Sequence, residues 1–392
     1  MPLVSFQMVS KYFGAQCVLQ DISWGIEPGH HVGLIGSNGA GKTTILQLIT
    51  GELPPDGGEI SRRRNLQIGY LTQDTILDSN KTVFEEILSN FEHIHELELQ
   101  LREAEKALEP TTENTSDNEK RLLKYGHLEE EYEQSGGYSY QNRARTVLQG
   151  LGFKNEDLSL PVHRLSGGQK TRLRLGKMLL CDADLLLLDE PESHLDVAAT
   201  EWLEEYITDH SAAILLVSHD RYFLDHTVNH IVEIEGLELK TYPGNYTQGM
   251  AIKAERLKTQ QRQYERQQAF IKEREEFIQR HIEGVKTKQA QGRRSQLARL
   301  KRIQNPQVSQ RQVSLNFGSM KRSGQDVIML NKLSKSYGSR TLFSDLNFTQ
   351  HFGERVGLIG YNGAGKTTLL RMIVGQEGPS SGSIHIGTGV DI

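Results

Sequence analysis

One stretch of this chain occurs twice. Residues 9–68 align with residues 333–392 at a constant offset of 324, without a gap. About 24 of the 60 aligned positions are identical, most densely where VGLIGSNGAGKTT is repeated as VGLIGYNGAGKTT. Chance is a poor explanation for such similarity, so the chain contains two copies of one domain. We predict a first domain over residues 1–245, a linker over 246–325, and the N-terminal part of a second domain over 326–392.

Each copy contains a glycine-rich loop that ends in Lys-Thr. Glycines let successive backbone N–H groups face a phosphate, the lysine neutralises phosphate charge, and the threonine hydroxyl suits Mg²⁺. The sequence therefore predicts two nucleotide sites, although the loop alone does not separate a GTPase, a kinase and a transporter motor. The loop residues are Gly36, Ser37, Asn38, Gly39, Ala40, Gly41, Lys42, Thr43 and Thr44 in the first copy, and Gly360, Tyr361, Asn362, Gly363, Ala364, Gly365, Lys366, Thr367 and Thr368 in the second.

Apolar runs alternate with helical patterns in the first copy. Residues 31–36, 185–190 and 213–219 are strand-sized apolar runs bounded by polar residues, which is typical of central parallel strands. Residues 42–50 and 198–208 have the pattern of helices. We therefore predict an α/β fold with a largely parallel sheet.

Further helical patterns lie outside this core. Residues 82–108 and 119–134 are charged helical patterns, and we expect them to form a hairpin inserted at about 82–134. In the linker, apolar residues recur every seven positions and predict a helix of about 33 residues, roughly 50 Å long. A second helix should fold back past a turn within 284–292. From the pattern alone, a coiled coil that only spaces the domains is the preferred interpretation. The seam residues are Met250, Leu257, Tyr264, Ile271 and Ile278, and the second helix contains Leu297, Leu300 and Ile303.

Basic residues are concentrated in this linker. Residues 249–322 contain 18 lysines and arginines against 6 acidic residues, a balance of +12 in a chain whose net charge is −5. A charged run is usually a solvated surface, but one sign confined to one segment of an otherwise acidic chain indicates a polyanionic partner. The run of seven basic residues with no acidic one consists of Lys286, Lys288, Arg293, Arg294, Arg299, Lys301 and Arg302.

Composition excludes several classes of protein. No apolar run approaches the roughly 18 residues of a membrane-spanning helix, and the N-terminus lacks the pattern of a signal peptide. With Cys17 and Cys181 as the two cysteines, a disulfide framework is excluded. We expect a cytoplasmic protein with no membrane-spanning segment.

Further motifs follow the first loop in order: LSGGQ at 165–169, LLLLDE at 185–190, HLD at 194–196 and LLVSHD at 215–220. Alone, each has a structural explanation, such as a loop, a core aromatic, a surface glutamine or a helix cap. In this order over about 200 residues they resemble the ABC superfamily of ATPases. The resemblance implies a P-loop ABC nucleotide-binding domain with helical insertions, a helical-hairpin linker and a partial second nucleotide-binding domain.

The resemblance also implies a role for each motif residue in binding and hydrolysing ATP. Glu190 would polarise the hydrolytic water as general base, Asp189 would hold Mg²⁺ through water, and His219 would contact the γ-phosphate. Gln73 would sense Mg²⁺ and the attacking water. The remaining implied contacts are Phe13 and Tyr337 with adenine, Ser166, Gly167, Gly168 and Gln169 with the nucleotide of the opposite domain, and Thr43, Gln73, Asp189 and Thr367 with Mg²⁺.

Within the superfamily the chain most resembles the ABC-F proteins. The resemblance rests on DEP-x-x-HLD, SHDRYFLD, YPGNYT at 242–247 and the basic run at 286–302. It implies action on the ribosome, with the linker directed toward tRNA and the 82–134 insertion as an arm that contacts the ribosome. We predict an ATPase that closes its domains on ATP binding and releases them on hydrolysis. The alternatives are a motor subunit of an ABC transporter and an ABC ATPase that acts on DNA, since a cationic rod does not distinguish phosphate backbones.

Two features depart from the ABC-F pattern. Where that pattern reads DEPTNHLD, this chain reads DEPESHLD, with Glu192 and Ser193. The additional carboxylate either disturbs Mg²⁺ or the domain contacts, or lies harmlessly at the interface. The second copy stops at Ile392, before a second glutamine loop, LSGGQ, Asp-Glu strand or histidine, so we expect a truncated second domain. We therefore predict weak ATP binding and slow hydrolysis by a monomer. Two chains could complete their first sites by pairing head to tail, each lending its LSGGQ segment to the other.

Overall fold

The structure is a computed structural model. It describes residues 1–71, 79–108, 115–281, 287–303, 305, 324–338 and 340–390. These residues form two compact units, one within Met1–Thr241 and Lys321–Ile392, the other within Tyr242–Met320. No described helix combines the length and apolar character that crossing a membrane requires.

The bounds of the regular elements are as follows. The strands are β1 (Val4–Phe13), β2 (Gln16–Ile26), β3 (His31–Gly36), β4 (Gly57–Arg62), β5 (Ile68–Leu71), β6 (Leu185–Asp189), β7 (Ala213–Val217), β8 (His230–Glu235), β9 (Glu238–Pro243), β10 (Asp326–Tyr337), β11 (Arg340–His351) and β12 (Ser381–Ile386). The α-helices are α1 (Lys42–Thr50), α2 (Val83–Leu88), α3 (Glu92–Ala107), α4 (Thr115–Gln134), α5 (Tyr140–Gly150), α6 (Gly167–Leu179), α7 (Val197–Thr208), α8 (Arg221–Thr227), α9 (Tyr246–His281), α10 (Thr287–Arg299) and α11 (Lys366–Ile373).

A six-stranded sheet forms the centre of the first copy. Its strand order is β5-β6-β7-β3-β8-β9, and β5, β6, β7, β3 and β8 pair in parallel. The predicted α/β fold is confirmed, and the three apolar runs form β3, β6 and β7. Because the carboxyl ends of parallel strands meet at one edge, the segments that follow these three strands are brought together there.

Two antiparallel sheets, β2-β1-β4 and β11-β10-β12, were not predicted. The register of β1 shifts near Met8, whose φ is +49°, so the alternation of apolar and polar residues is interrupted. The second copy has the same irregularity at Lys332, with φ of +46°. A Cβ on Gly58 would lie 2.2 Å from the Met8 carbonyl oxygen, and one on Gly382 would lie 2.2 Å from the Lys332 oxygen. The repeat thus preserves a bulge that hides the strand pattern.

The same five residues, VGLIG, have different environments in the two copies. In the first copy they lie in β3 between β7 and β8, and Leu34 is fully buried. In the second copy they form no strand among the described residues, and Leu358 is 44% exposed. The difference follows from the neighbours, since the described part of the second copy provides no strand that covers this segment as β7 and β8 cover β3.

The insertion is divided more finely than the pattern predicted. Instead of one helix over 82–108, a 3-10 turn at Ser89–Phe91 separates α2 from α3. A capping box between Thr82 and Glu85 begins α2, with each side chain accepting from the other residue's backbone N–H. Helix α4 begins at Thr115, earlier than predicted, within the turn predicted over residues 111–118. Residues 109–114 lie outside the described residues.

The second unit contains a helical hairpin. Helix α9 has 36 residues, close to the predicted length, and α10 follows it. The amide of Gln267 bridges to the other arm, donating to the Lys301 carbonyl at 2.9 Å and accepting from the Ile303 N–H at 2.7 Å. Ile271 and Ala290 are buried. Ile271 of the predicted seam therefore lies on the packed face of this hairpin. The turn was predicted within 284–292, but residues 287–292 belong to α10, and residues 284–286 lie outside the described residues.

Candidate functional site

The first phosphate loop connects β3 to α1. The ammonium of Lys42 lies across this loop and donates to the carbonyls of Gly36 at 2.9 Å and Ser37 at 3.2 Å. Gly41 caps α1 in the left-handed region, with φ of +104°. A Cβ there would lie 2.7 Å from Cγ1 of Val18, so both the backbone conformation and the space require glycine. The loop backbone and the N-terminus of α1 therefore surround a small cationic space, which suits a phosphate.

Two carboxylates and an imidazole from the neighbouring strands face this loop. Asp189, at the end of β6, lines one cavity together with Thr43. Burial, and then the charge of Glu190, raise the pKa of Asp189, although nearby Lys42 opposes the shift. His219 follows β7, and its Nε2 lies 3.6 Å from Oε1 of Glu190. The paired strands β6 and β7 thus bring a carboxylate and an imidazole together.

The backbone of Glu190 is held in an uncommon conformation. Its φ is +48°, in the left-handed region that non-glycine residues seldom adopt. Its N–H donates to the Val217 carbonyl at 2.8 Å, which ties the end of β6 to the end of β7. Strain of this kind persists only where surrounding contacts impose it, and it is concentrated at functional sites.

These groups line one open cavity of about 690 Å³. Phe13 stands at its rim with half of its surface exposed, so it is not a core aromatic. The predicted Gln73 lies outside the described residues. Gln16 and Val18 line the same cavity, and sequence reasoning missed both. The lining residues are Phe13, Gln16, Val18, Asn38, Gly39, Gly41, Lys42, Thr43, Thr44, Asp189, Glu190 and His219.

The LSGGQ segment begins α6 with a capping box. The hydroxyl of Ser166 accepts from the Gln169 N–H at 3.3 Å, and the side chain of Gln169 accepts from the Ser166 N–H at 3.0 Å. A Cβ on Gly168 would lie 3.6 Å from Cβ of His194. Serine and glutamine therefore define a helix N-terminus, and the glycines keep its surface low enough for a ligand to approach.

The second phosphate loop faces this segment. The backbone N–H of Asn362 donates to the Asp196 carboxylate at 2.9 Å, and its side-chain amide donates to the His194 carbonyl at 2.8 Å. A cavity of about 1200 Å³ is lined by Ser166, Gly168 and Gln169 on one side and by Tyr361, Asn362 and Gly363 on the other. The predicted LSGGQ residues therefore lie across one cavity from the predicted second phosphate loop.

The second loop repeats the internal contacts of the first. Lys366 donates to the carbonyls of Gly360 at 2.5 Å and Tyr361 at 3.0 Å. Tyr337, the counterpart of Phe13, is half exposed and its hydroxyl donates to the Glu377 carboxylate. Arg340 also lines the second cavity and donates to the Gly363 carbonyl at 3.3 Å. Sequence reasoning missed Arg340, although the alignment of the two copies places it opposite Gln16.

Glu192 lies close in the chain to Glu190 and contacts the residue that precedes His219. Its carboxylate accepts a hydrogen bond from the hydroxyl of Ser218. Ser218 is buried, and in the chain it lies between β7 and His219. The other oxygen, Oε2, is buried without a hydrogen-bond partner among the described residues. Burial raises the pKa of Glu192 despite the Ser218 hydrogen bond. The sequence drew attention to Glu192, but no pattern indicated its partner.

The hairpin unit carries the predicted nucleic-acid contacts. Arg293 stacks over the ring of Phe277, with its guanidinium carbon 3.6 Å from the ring centroid. Lys286 lies outside the described residues. The remaining predicted residues are exposed, namely Lys288, Arg294, Arg299, Lys301 and Arg302. The described basic run therefore consists of one arginine packed on an aromatic ring and five cations on the surface.

Comparison with known proteins gives consistent matches. A family model described as ABC transporter matches residues 19–193 and 343–392, and a second with the same description matches residues 232–317. The Bacillus subtilis protein YdiF is 39% identical over 100% of this chain and 61% of its own length. ABC transporter F family member 2 of Arabidopsis thaliana is 35% identical over 98% of this chain and 57% of its own length. The B. subtilis ABC transporter ATP-binding protein YfmM is 32% identical over 99% of this chain and 75% of its own length.

Proposed function

The chain belongs to the ABC family of ATP-binding proteins and, within it, to the F-type members, and on that basis we propose that it binds and hydrolyses ATP to act on the ribosome. The chain spans 61% and 57% of the lengths of YdiF and the Arabidopsis F family member. What the whole protein does is therefore part of the proposal. The proposed ATPase activity rests on one observation, which is that a single cavity is lined by Lys42, Asp189, Glu190 and His219.

The first site has a group for each requirement of phosphoryl transfer to water. The loop N–H groups and Lys42 bind the phosphates, and the half-exposed ring of Phe13 stacks on the adenine. Glu190 accepts a proton from the attacking water, and His219 contacts the terminal phosphate from the adjacent strand. Because the cavity is open, the site is completed only when a second surface closes over it.

The oxygen groups beside the loop fit Mg²⁺. Thr43 and Asp189 line the same cavity as Lys42, and hydroxyl and carboxylate oxygens are the ligands that Mg²⁺ prefers. Thr43 would bind the ion directly and Asp189 through water, with Thr367 in the equivalent place in the second copy. The ion neutralises phosphate charge when it is bound.

We propose that LSGGQ supplies the closing surface for a nucleotide held by the other copy. The cavity between LSGGQ and the second loop supports this arrangement, as does the hydrogen bond from Asn362 to Asp196. ATP between the two surfaces would strengthen their association, and loss of the γ-phosphate would weaken it. The nucleotide cycle would thereby open and close the domains.

We propose that the hairpin unit makes the ribosome contact, in the cytoplasm. Five of its exposed cations lie in a stretch that has no acidic residue, and such a surface binds dense phosphate backbone with release of counterions. The long α9 would carry this charge toward tRNA. The charged arm built from α3 and α4 would be a second contact.

The test offers the chain each of three anionic partners that a basic hairpin could bind. Purified chain is sedimented with ribosomes, with double-stranded DNA beads and with anionic vesicles, each in the presence of ATP or ADP. We expect sedimentation with ribosomes that is stronger in ATP. Preferential binding to DNA or to vesicles, or ribosome binding indifferent to the nucleotide, would overturn the proposal.

A further inference from the structure

Two loops meet behind the first phosphate loop. One follows β6 and carries Glu190, and the other follows β7 and carries His219. Two hydrogen bonds join them. The first runs from the Glu190 N–H to the Val217 carbonyl at 2.8 Å, and the second from the Ser218 hydroxyl to the Glu192 carboxylate. The two loops are therefore joined at Glu190 and again at Glu192, close to His219.

Two hydrogen bonds fix the orientation of the Ser218 hydroxyl. Only 4% of its surface is exposed, and its oxygen accepts from the Asp220 N–H at 2.9 Å. Since that oxygen already accepts a hydrogen bond, its own proton is free to be donated to Glu192. The Asp220 side chain in turn caps α8, accepting from the Tyr222 N–H at 2.8 Å. Both chain neighbours of His219 are thus restrained, one by Glu192 and the other by a helix.

His219 itself has few restraints. Its side chain is 54% exposed and lines the open cavity, and its Nε2 lies 3.6 Å from Oε1 of Glu190. An exposed imidazole of this kind takes its direction from the backbone on which it stands. The residues that fix that backbone therefore determine where the ring points.

We infer that Glu192 is a positioning residue that, through Ser218, holds His219 toward the terminal phosphate of ATP at the first site. The inference rests on the proposed function, since it requires a nucleotide at this loop. Glu192 has no contact with the nucleotide in this arrangement. It occupies the position of threonine in the DEPTNHLD pattern of ABC-F proteins, so this chain achieves the restraint with a buried carboxylate.

The arrangement predicts a specific effect on nucleotide choice. Because His219 would reach only the γ-phosphate, loss of the Glu192–Ser218 bond should weaken binding of ATP and leave binding of ADP unchanged. A side chain that merely filled space would affect both nucleotides equally when removed. Glutamine keeps an oxygen that can accept the Ser218 proton, so Glu192→Gln should retain most of the preference.

The experiment measures the affinities of the full chain for MgATP and MgADP by equilibrium binding. A Lys366→Ala background silences the second loop, so that only the first site is measured. We expect Glu192→Ala and Ser218→Ala each to lower the ratio of ATP to ADP affinity by about tenfold, the size of one hydrogen bond to a charged group. Glu201→Ala, an exposed carboxylate on α7, is the matched control and should leave the ratio unchanged.

A double substitution tests the route through the histidine. His219→Ala should lower the ratio about as much as Glu192→Ala does, and combining the two should lower it no further. Independent, multiplying effects would overturn the inference, as would an unchanged ratio in Glu192→Ala or equal losses for both nucleotides. If the Lys366→Ala chain itself did not bind ATP, the proposed function would be contradicted, and the inference that rests on it would fail as well.

Discussion

The imidazole of His219 and the carboxylate of Glu190 face each other, with Nε2 and Oε1 3.6 Å apart, at the carboxyl edge of the parallel sheet. They follow β7 and β6 directly in the chain, and because these two strands are paired, the sheet brings their ends together. A carboxylate and an imidazole, which we propose to be the general base and a phosphate contact, thereby line the same cavity as Lys42.

Replacing Glu190 with glutamine should separate binding from hydrolysis. Glutamine keeps the shape and a hydrogen-bonding oxygen but cannot accept a proton at neutral pH. We expect the hydrolysis rate at the first site to fall by about 10² to 10⁴ while ATP affinity stays within about twofold. Phosphate release and equilibrium nucleotide binding, both in the Lys366→Ala background, provide the two measurements. A variant that turned over at the original rate would show that Glu190 is not the base.

Stability should depend on pH through Glu192. Burial raises the pKa of this carboxyl above its ordinary value of 4.5, so the folded chain holds the proton more tightly than the unfolded chain does. Its stabilising contribution is therefore complete below pH 4.5 and is lost as the pH rises through the folded-state pKa. Glu192→Gln is neutral throughout, so its free energy of unfolding relative to the original chain should increase between pH 4.5 and pH 8. Urea unfolding across this range measures it, with exposed Glu201→Gln as the control; a difference that did not change with pH would contradict the prediction.

The repeat provides a matched pair of core substitutions. Leu34 is fully buried in β3, whereas Leu358, in the same VGLIG sequence, is 44% exposed. Leu34→Ala should lower the free energy of unfolding by about 3 kcal/mol, because it leaves a cavity among packed strands. Leu358→Ala should cost less than about 1 kcal/mol. Equal losses in urea unfolding would show that both segments are buried in solution.

Hydrolysis should rise with protein concentration. The 392-residue chain has one LSGGQ segment, and in the structure this segment faces the loop around Asn362. In a solution of residues 1–392 alone, the first loop would meet an LSGGQ segment only on another molecule, and that molecule would have to release its own. We expect turnover per chain to increase with concentration and to be lost in Ser166→Arg, which blocks the closing surface. Rapid turnover independent of concentration would contradict this pairing.

The elements that carry chemistry were predictable from the sequence because their patterns are local. A buried parallel strand is a continuous apolar run, which is why β3, β6 and β7 were found, and α1 was found with its observed bounds. The antiparallel sheets were missed because bulges at Met8 and Lys332 break the alternation on which strand prediction depends.

Contacts between distant residues could not be predicted in the same way. No local pattern links Ser218 to Glu192, because their bond depends on how far β6 and β7 extend beyond the sheet. The proximity of Asn362 to Asp196 likewise depends on how the two copies pack. The different burial of Leu34 and Leu358 shows that even an identical local sequence does not determine its own environment.

Binding of the ribosome by the exposed charge of the hairpin is tested by a pair of charge-matched variants. The first replaces five exposed cations of the acid-free run with glutamine, and the second replaces five exposed cations of α9 that are interspersed with glutamates. The two sets are Lys288, Arg294, Arg299, Lys301 and Arg302, and Lys258, Arg262, Arg266, Lys272 and Arg280.

The measurement is ribosome affinity by co-sedimentation in ATP, repeated from low to high salt. We predict that the first variant binds at least about tenfold more weakly and with a flatter dependence on salt, because fewer counterions are released. The second variant should lose much less, since neighbouring acidic residues already offset its cations, and neither should change in ATP affinity. Equal binding by the original chain and both variants would contradict the claim and leave the hairpin as a spacer between the domains.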